Sequence, residues 1–381
     1  MRVLMTFAAM LATGCAVEQR GNNQESAFAV DARGAPGIVD ARWTLQGLGR
    51  PIGVVVSAVR CAEFLFLSDH QGGIRRLNLD SGETLPTVAE DALLMSLAVD
   101  CPNGVVYGLG PRPPGPGRTR GNVLHGYAVQ TGEPTRTWPI GTLIMPAVVG
   151  AIVAGQFVVG GLWMPMSGGD YLHPPASEFY RDKKVGMTVD LANGEWEAPF
   201  APYELQCRGG GRCVGGSLWP LDVPGAERWL VAQPTSTSVR FLDADLRPLR
   251  SLEVSSPMFK NDGRAVDVTD AAASMHWAAT NSVIWMAMPI NAMLATVHSL
   301  VRLPPNYEFG QSVEFGCWLN LHSLEGRGLV SDIRLPGCPV GWDQQNLYTV
   351  DYGAGGRNSA PDAVSILRVP VSSGTGGFVR R

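Results

Sequence analysis

One short stretch decides the fold class of this chain. Its sequence is Ser96-Leu97-Ala98-Val99-Asp100, then Cys101-Pro102-Asn103-Gly104, then Val105-Val106-Tyr107. The flanking parts are apolar and rich in β-branched or aromatic residues, and the middle part has the composition of a tight turn. The stretch therefore predicts a β-hairpin.

The same hairpin pattern recurs six times along the chain. The expected first strands cover residues 51–54, 96–100, 146–149, 217–222, 274–277 and 339–343. Alternating third strands are expected at 74–80, 123–130, 185–191, 238–243, 297–303 and 363–369. Fourth strands are expected around Trp138 and at 196–200, 249–254 and 311–315. Repeats of four strands every 40–70 residues or so are typical of a β-propeller.

We therefore expect an all-β fold over residues 37–381, a single β-propeller of six four-stranded blades. The segment Ile38-Val39-Asp40-Ala41-Arg42-Trp43-Thr44-Leu45 alternates but has no partner in its own repeat. Because the last repeat ends soon after Val371, this N-terminal strand is expected to complete the last blade. A β-sandwich is the competing architecture, and a seventh blade would need a repeat hidden between the third and fourth.

The repeats resemble those of known propellers. Residues 95–107 resemble the inner hairpin of the NHL and TolB-like six-bladed propellers. The run Gly126-Tyr127-Ala128-Val129-Gln130-Thr131-Gly132-Glu133 is similar, more distantly, to repeats of quinoprotein-type propellers and of the outer-membrane assembly lipoprotein BamB. The resemblance extends over nearly all of the chain after its leader, and it implies a fold rather than a function.

The N-terminus predicts export. Arg2 precedes an apolar run that is too short to cross a bilayer, and Ala12-Thr13-Gly14-Cys15 reads as a lipobox. We expect a lipoprotein signal peptide over 1–14, lipidation of Cys15, and a flexible lipidated tether over 15–36. Ala16 after the cysteine favours the outer membrane, by similarity to proteobacterial lipoproteins. The alternative is an ordinary secretory signal in which the cysteine is accidental.

The remaining cysteines and the charge are consistent with an envelope protein. Six cysteines besides Cys15 suggest disulfides, and their places in the repeats favour the pairs Cys61–Cys101, Cys207–Cys213 and Cys317–Cys338, although six cysteines allow fifteen pairings. No pair has the short spacing of a metal-binding motif, so no metal is expected. The net charge of −4 argues against nucleic acid as a partner.

Long loops between the second and third strands are the expected binding region, because binding residues concentrate on loops at one end of a rigid scaffold. Aromatic and charged side chains in these loops are of the types that anchor interfaces. The candidates are Trp163, Asp170, Tyr171, His173, Tyr180, Arg181 and Tyr352. The alternative is that these loops are tolerated insertions without a role.

Catalytic signals are weak. The pair Asp69-His70, together with His173 and Asp351, would lie at the same mouth, and His276 is expected in an inner strand. No nucleophile elbow, phosphate loop or zinc-protease motif is present, and no catalytic residue or cofactor is predicted.

The sequence thus favours a non-enzymatic, outer-membrane-anchored lipoprotein whose propeller binds protein partners in a cell-envelope complex. Its contact with the membrane would be through the lipid anchor alone. Two alternatives remain open: a propeller enzyme of the lactonase, hydrolase or quinoprotein kind, and a surface binder of glycans or nutrients.

Overall fold

The computed structural model describes residues 39–89, 92–112, 121–141, 143–164, 184–200, 217–221, 225, 227–233, 236–254, 256–260, 271–304, 306–307, 313–353 and 361–371. These residues form 25 strands and one helix. The strands of the N-terminal half are β1 Ala41–Gln46, β2 Val55–Cys61, β3 Phe64–Asp69, β4 Ile74–Asn78, β5 Thr84–Val88, β6 Ser96–Asp100, β7 Val105–Arg112, β8 Gly121–Ala128, β9 Pro134–Ile140, β10 Leu143–Pro146, β11 Ala151–Val153, β12 Gln156–Met164, β13 Gly186–Asp190 and β14 Trp196–Glu197.

The C-terminal half continues the same organisation. Its elements are β15 Ser217–Pro220, β16 Trp229–Ala232, β17 Ser238–Leu242, β18 Pro248–Glu253, the helix α1 Ala271–Thr280, β19 Val283–Ile290, β20 Met293–Arg302, β21 Glu314–Ser323, β22 Gly328–Arg334, β23 Pro339–Trp342, β24 Asn346–Asp351 and β25 Ala363–Pro370.

The strands form a propeller-like arrangement of antiparallel sheets, as expected for an all-β chain. Three sheets have four strands each, in the orders β6-β7-β8-β9, β15-β16-β17-β18 and β19-β20-β21-β22. A five-stranded sheet contains β10 to β14, and an eight-stranded sheet has the order β1-β25-β24-β23-β2-β3-β4-β5. The expectation of six separate four-stranded blades is therefore wrong as stated, because five sheets form within the described residues.

The eight-stranded sheet explains the difference in count. Its two halves, β1 with β23–β25 and β2–β5, are joined by one parallel residue pair, Ala58 and Gly341. A Cβ atom on Gly341 would lie 1.9 Å from the carbonyl oxygen of Ala58, so the two inner strands approach as closely as they do because residue 341 has no side chain. The contact joins what the sequence predicted to be the first and last repeats.

The predicted closure by an N-terminal strand is confirmed. β1 pairs antiparallel with β25 over six residues, from Ala41 opposite Arg368 to Gln46 opposite Ala363. The pairing places the N-terminal strand at the outer edge of the last repeat. Backbone hydrogen bonds therefore connect the beginning and the end of the described chain.

Three turns between third and fourth strands repeat one geometry. In Ser81-Gly82-Glu83, Thr131-Gly132-Glu133 and Asn193-Gly194-Glu195, the glycine has a φ of 73° to 80°. The side chain of the first residue accepts a hydrogen bond from the backbone N–H of the glutamate in each case. Glycine is required by the left-handed backbone, and at Gly194 also by the close approach of the Trp138 ring.

Two repeats differ from their predicted positions. The expected first strand at 51–54 begins instead at Val55, and in the third repeat the hairpin strand is β11, preceded by the additional strand β10. Val149, expected within that strand, forms an isolated parallel bridge with Leu97. The repeat pattern identified these hairpins, but it placed their first strands a few residues too early.

The fifth repeat departs most from prediction. Residues 274–277, expected as an inner strand, belong to α1, and the inner strand is β19. The turn between β19 and β20 is Asn291-Ala292, with φ of 50° and 60°, which is the left-handed pair of a tight hairpin turn. This turn lacks glycine, and the predicted strands of the repeat are displaced by one strand: the expected third strand at 297–303 lies in β20, and residues 311–315 overlap β21 rather than forming a fourth strand.

The apolar core lies between neighbouring sheets. One cluster includes Phe66 of the eight-stranded sheet, Val106 of β7 and Leu319 of β21, all fully buried. A second cluster joins Phe157 of β12 to Val231 of β16. Each sheet therefore buries its faces against its neighbours, as expected for radially packed sheets.

Candidate functional site

The predicted binding residues lie mostly outside the described residues. This applies to Asp170, Tyr171, His173, Tyr180 and Arg181, and likewise to the predicted lipidation site Cys15 and the predicted disulfide pair Cys207 and Cys213. Trp163 lies in β12, opposite Ile144 of β10, and its side chain is not among those described. Their roles stay predictions.

Tyr352 is the one predicted binding residue whose side chain is described. Its hydroxyl oxygen accepts a hydrogen bond of 2.8 Å from the backbone N–H of Val55. The ring packs against the core cluster of the eight-stranded sheet. Tyr352 therefore helps to position the start of β2, and its binding role stays a prediction.

The structure gives Asp69 a structural partner. Its carboxylate accepts a hydrogen bond of 2.7 Å from Arg75 Nε, and both side chains are almost completely buried. Arg75 also donates to the carbonyl oxygens of Gly47 and Pro51. The ion pair thus fixes the connection between β1 and β2, rather than providing a base at an open mouth.

His276 does not line an inner strand. It is exposed in α1, and its ring lies edge-on to that of Tyr307, with centroids 6.1 Å apart. Asp351 accepts a hydrogen bond from the backbone N–H of Gly353, as a turn residue does. The described residues therefore bring no catalytic pair together from these candidates.

Three tryptophans meet at a cavity bounded by inner strands. Trp219 of β15, Trp285 of β19 and Trp342 of β23 line it, together with Ser217, Leu218, Met286, Ala287 and residues 147–149. The enclosed part of the cavity is about 10 Å³, enough for about one water molecule. It is far smaller than the ~300–1,000 Å³ usual for small-molecule sites. The tryptophans therefore form a shallow aromatic surface rather than a pocket that encloses a cofactor or a side chain.

The tryptophans are held at defined positions. The ring centroids of Trp219 and Trp342 are 4.4 Å apart, with a tilt of 57°. Trp285 donates a hydrogen bond of 2.8 Å from Nε1 to the carbonyl oxygen of Pro339. All three are partly exposed, so their rings combine fixed positions with accessible apolar surface.

The carboxylate of Asp343, next to Trp342, accepts hydrogen bonds from several donors. Burial alone would raise its pKa, but hydrogen bonds from Tyr348, the Gln345 N–H, Arg60 and Asn346 lower the pKa below its ordinary value. Burial and the neighbouring Asp343 raise the pKa of Tyr348. Asp343 is therefore ionised at neutral pH, and its donors leave it a structural role at the end of β23.

The turns of three neighbouring sheets are acidic. Glu83, Glu133 and Glu195 occupy the same position in the repeated turn, and all three are exposed. In the sheets β15–β18 and β19–β22, the corresponding turn is closed by a backbone hydrogen bond to the carbonyl oxygen of an arginine. This residue is Arg247 in the first sheet and Arg327 in the second. Arg76 and Arg136 donate to the backbone oxygens of Gln130 and Leu191 at two of the glutamate turns, so charges of both signs lie there. Neighbouring inner strands run parallel where they touch, so they finish at the same end of the ring. The tryptophan pair lies toward that end.

No metal site or membrane-spanning helix is found in the described part of the chain. No group of three or more His, Cys, Asp or Glu side chains there is arranged to hold a metal ion. No helix there is long and apolar enough to cross a bilayer.

Two of the three predicted disulfides are present. Cys61 pairs with Cys101, which links β2 to the end of β6, and Cys317 of β21 pairs with Cys338, just before β23. The bonds join neighbouring sheets, as the positions of these cysteines in the repeats predicted.

The tryptophan cluster was not among the predicted sites, although the sequence contains a signal for it. Leu218-Trp219, Ile284-Trp285 and Gly341-Trp342 place tryptophan within three successive inner strands. Because the inner strands of a propeller surround its axis, such a recurrence predicts convergence of the rings. The error in the fifth repeat hid it, because the inner strand expected at 274–277 contains Trp277 instead of Trp285.

Comparison with known proteins supports the fold. No family model matches the sequence, and no curated protein matches it. The chain is similar in structure to a member of the DUF4221 family from Bacteroides vulgatus, with a TM-score of 0.62, 10% identity and coverage of 88% of this chain and 98% of that one. At this identity the likeness shows the fold alone.

Propeller domains of other proteins are also found. The β-propeller domain of Cps50 (Swd1) from Myceliophteria thermophila gives a TM-score of 0.44 at 9% identity, covering 86% of this chain and 99% of that one. The WD40 β-propeller domain of Doa1 gives 0.43 at 12% identity, covering 90% and 98%. The resemblance to NHL and TolB-like propellers in particular stays a prediction.

Proposed function

We propose that this chain is a protein-binding module whose partner packs a side chain against the accessible surfaces of Trp219, Trp285 and Trp342. The observation that carries the proposal is the convergence of three partly exposed tryptophans from three inner strands. Tryptophan is among the residues most enriched in the hot spots of protein interfaces, where a few buried anchors supply most of the binding energy.

The chemistry of the cavity supports a protein partner over a glycan or cofactor. Apart from the tryptophans, its lining is alanine, valine, leucine and methionine with a single serine. Ser217 Oγ already accepts a hydrogen bond from the backbone N–H of Ala287. A sugar needs several polar groups to bind its hydroxyls, and a buried hydroxyl without a partner costs about 1–3 kcal/mol. An apolar side chain has no such requirement.

The proposed setting is the cell envelope. The support comes from the sequence: the lipobox at Cys15, the tether over 15–36, and six further cysteines, four of which are paired in the structure. Disulfides persist in oxidising compartments such as the bacterial periplasm. We propose an outer-membrane lipoprotein that holds a partner in an envelope complex. Replacing Cys15 by Ser should release the protein from membranes into the soluble envelope fraction.

Site-specific photocrosslinking tests the binding site. A photoreactive phenylalanine derivative at position 219 or 342 should give a defined covalent adduct with one envelope protein in cells. The matched control is position 196, since Trp196 is an exposed tryptophan on the outer strand β14. Equal adduct yield at 196, or no adduct at 219 and 342 in a folded protein, would contradict the proposal.

Titration of the identified partner then measures the anchor. Trp219→Ala and Trp342→Ala should each weaken binding by about 30-fold or more, the effect of losing a hot-spot residue. Trp196→Ala should change the affinity less than about threefold. Thermal unfolding of each variant separates loss of the anchor from loss of the fold.

A further inference from the structure

The two disulfides in the described part of the chain differ in their access to solvent. Cys101 is exposed and its partner Cys61 is buried, whereas Cys317 is buried and Cys338 is half-buried. Thiol–disulfide exchange requires a thiolate to reach one sulfur atom of the bond, and exposed disulfides are the labile or regulatory ones. The Cys61–Cys101 bond is therefore the one that a reductant reaches first, at Cys101.

The turn that presents Cys101 is held by hydrogen bonds of its own. The Asp100 carboxylate accepts them from the backbone N–H of Asn103 at 3.3 Å and from the Asn103 side-chain amide at 2.8 Å. The Gly104 N–H donates to the carbonyl oxygen of Cys101 at 3.1 Å. Cys101 therefore keeps its place in the turn when the disulfide is broken, so that the bond can form again.

The two sheets stay in contact without the disulfide. The backbone N–H of Leu97 in β6 donates a hydrogen bond of 2.9 Å to Ser57 Oγ in β2, and both residues are buried. Val59 of β2 and Leu97 belong to the same apolar core cluster. Reduction should therefore act locally, at the ends of β2 and β6, rather than separate the sheets.

Arg60 connects this disulfide to the strand that carries Trp342. The carbonyl oxygen of Arg60 lies 3.8 Å from Cys101 Sγ. Its guanidinium donates a hydrogen bond of 2.9 Å to the carboxylate of Asp343, across the contact of β2 with β23. Asp343 directly follows Trp342, the last residue of β23. The backbone of Arg60 thus contacts the disulfide, and its side chain contacts the residue next to Trp342.

We propose that Cys61–Cys101 is an exchange site for dithiols, attacked at Cys101, and that the state of this bond controls the position of Trp342 through Arg60. One thiolate of the dithiol bonds to Cys101 Sγ, the bond to Cys61 breaks, and the Cys61 thiolate takes up a proton. The second thiol of the reagent then displaces Cys101, which is released as a thiol. Both cysteines are reduced, and the dithiol is oxidised to a disulfide.

Reduction should loosen the tryptophan surface. With the bond broken, the end of β2 gains conformational freedom, and Arg60 no longer holds Asp343 at one position. The consequence for binding rests on the proposed function: a surface that is less preorganised binds its partner more weakly. The consequence for Trp342 itself needs no partner and is measured on the isolated chain.

Selective reduction of the oxidised full chain, without denaturant, tests the exchange site. Dithiothreitol should reduce Cys61 and Cys101 at least about tenfold faster than Cys317 and Cys338, as followed by alkylation and peptide mapping at timed intervals. Brief exposure to glutathione should leave the mixed disulfide on Cys101. Equal rates for the two bonds, or glutathione attached to Cys61, would overturn the proposal.

Fluorine NMR of protein labelled with 5-fluorotryptophan tests the link to Trp342. The signals that are absent in Trp342→Phe and in Trp196→Phe assign these two residues. Reduction of Cys61–Cys101 should shift or broaden the Trp342 signal and leave the Trp196 signal unchanged, because Trp196 lies on the outer strand β14. A Trp342 signal that does not respond to reduction would overturn the proposal.

Arg60→Gln tests the route between the two. In the oxidised protein this variant should reproduce the change in the Trp342 signal, and subsequent reduction should add little to it. Arg136→Gln is the matched control, because Arg136 donates to the carbonyl oxygen of Leu191 on other sheets. An equal response of Trp342 to reduction in both variants would contradict the role of Arg60. Thermal unfolding well above the measurement temperature confirms that each sample is folded.

The two proposals fail in different ways. Photocrosslinks at 219 and 342 that are unchanged when Cys61 and Cys101 are both replaced by Ala would retain the binding surface and reject its redox control. Absence of any adduct at 219 and 342 rejects the binding surface and with it the effect on binding. The alkylation and fluorine measurements decide the exchange site and its link to Trp342 without reference to a partner.

Discussion

Two arcs of the ring are held together by different means. The closure arc comprises the sheet β19–β22, the eight-stranded sheet and the sheet β6–β9, which are joined in turn by Cys317–Cys338 and Cys61–Cys101. The apolar arc comprises β10–β14 and β15–β18. Within the described residues, no disulfide or ion pair links these two sheets, which pack through side chains such as Met187 and Leu218.

The way in which the ring is closed explains why only the closure arc has cross-links between its sheets. A ring closed by non-covalent pairing has one junction that the backbone does not cross. Here that junction is the pairing of β1 with β25, and the two disulfides join its sheet to the sheets on either side. Arg60 of β2 forms an ion pair of 2.9 Å with Asp343 across the parallel contact of β2 and β23. The apolar arc contains no such junction, and burial of apolar surface holds its two sheets together.

Removing the cation of the buried ion pair should have the largest effect on the closure arc. Arg75→Leu leaves the Asp69 carboxylate buried without its partner and releases the carbonyl oxygens of Gly47 and Pro51. The free energy of unfolding should fall by about 3–5 kcal/mol, measured by urea denaturation. Arg136→Leu is the control, because the Arg136 side chain donates to one backbone oxygen, that of Leu191, from the surface. A loss of less than about 1 kcal/mol in Arg75→Leu would show that the ion pair does not hold the closure.

Much of this fold was predictable from local patterns, whereas the closure contacts were not. The hairpin at 96–107 and the three glycine turns carry their signals in consecutive residues, and β1 was predicted to pair with β25 because it had no partner in its own repeat. The Asp69–Arg75 pair and the tryptophan cluster depend on how repeats face one another. The fifth repeat shows the limit: Asn291-Ala292 makes a tight turn without glycine, and α1 replaces an expected strand.

Removing the disulfides tests whether covalent bonds account for the stability of the closure arc. Replacing Cys61 and Cys101 by Ala should lower the free energy of unfolding by about 2–4 kcal/mol. Replacing Cys317 and Cys338 by Ala should lower the free energy of unfolding by about 0.6 kcal/mol less. The Cys317–Cys338 bond closes a loop of 21 rather than 40 residues, and the entropy of loop closure grows slowly with length. Both are measured by denaturation without reductant. Addition of reductant should destabilise the wild type but have a smaller effect on each double variant.

A disulfide contribution near zero for both pairs would refute the comparison between the arcs. In that case apolar packing would hold the closure arc as it holds the other, and reduced wild-type protein would unfold at the same denaturant concentration as oxidised protein. The cysteine-to-alanine variants also lose stability because Ala leaves a cavity. Denaturation of the wild type with and without reductant controls for this, because reduction removes the bond without removing the sulfur atoms.

Acidification should weaken the boundary where the apolar arc meets the closure arc. His298 of β20 is buried there, stacked on Trp318 with ring centroids 5.5 Å apart and edge-on to Phe259. Its Nδ1 is 3.0 Å from Asn320 Nδ2, and Asn320 Oδ1 accepts a hydrogen bond from the Asp332 N–H. The amide is thus oriented to donate to Nδ1, so the imidazole is neutral, with its proton on Nε2.

The sign of the pH dependence follows from this neutral state. Burial lowers the pKa of His298 to about 4, although Asp332 opposes the shift, and burial lowers the pKa of His322 in the same sheet. Above pH 6.5 or so the imidazole is neutral in both the folded and the unfolded chain. As the pH falls from there toward 4, the unfolded chain binds a proton that the folded chain does not, and stability is lost. The contribution of His298 should be a loss of about 1.4 kcal/mol by pH 5.5.

Urea denaturation at pH 7.5 and 5.5 measures this loss, and His298→Gln should reduce the difference between the two values by about 1.4 kcal/mol. His276→Gln, measured under the same conditions, provides the control for the substitution itself, because His276 is exposed on α1. If the wild type is equally stable at both pH values, His298 is not held neutral by its surroundings. The boundary would then be no more sensitive to protons than an apolar contact.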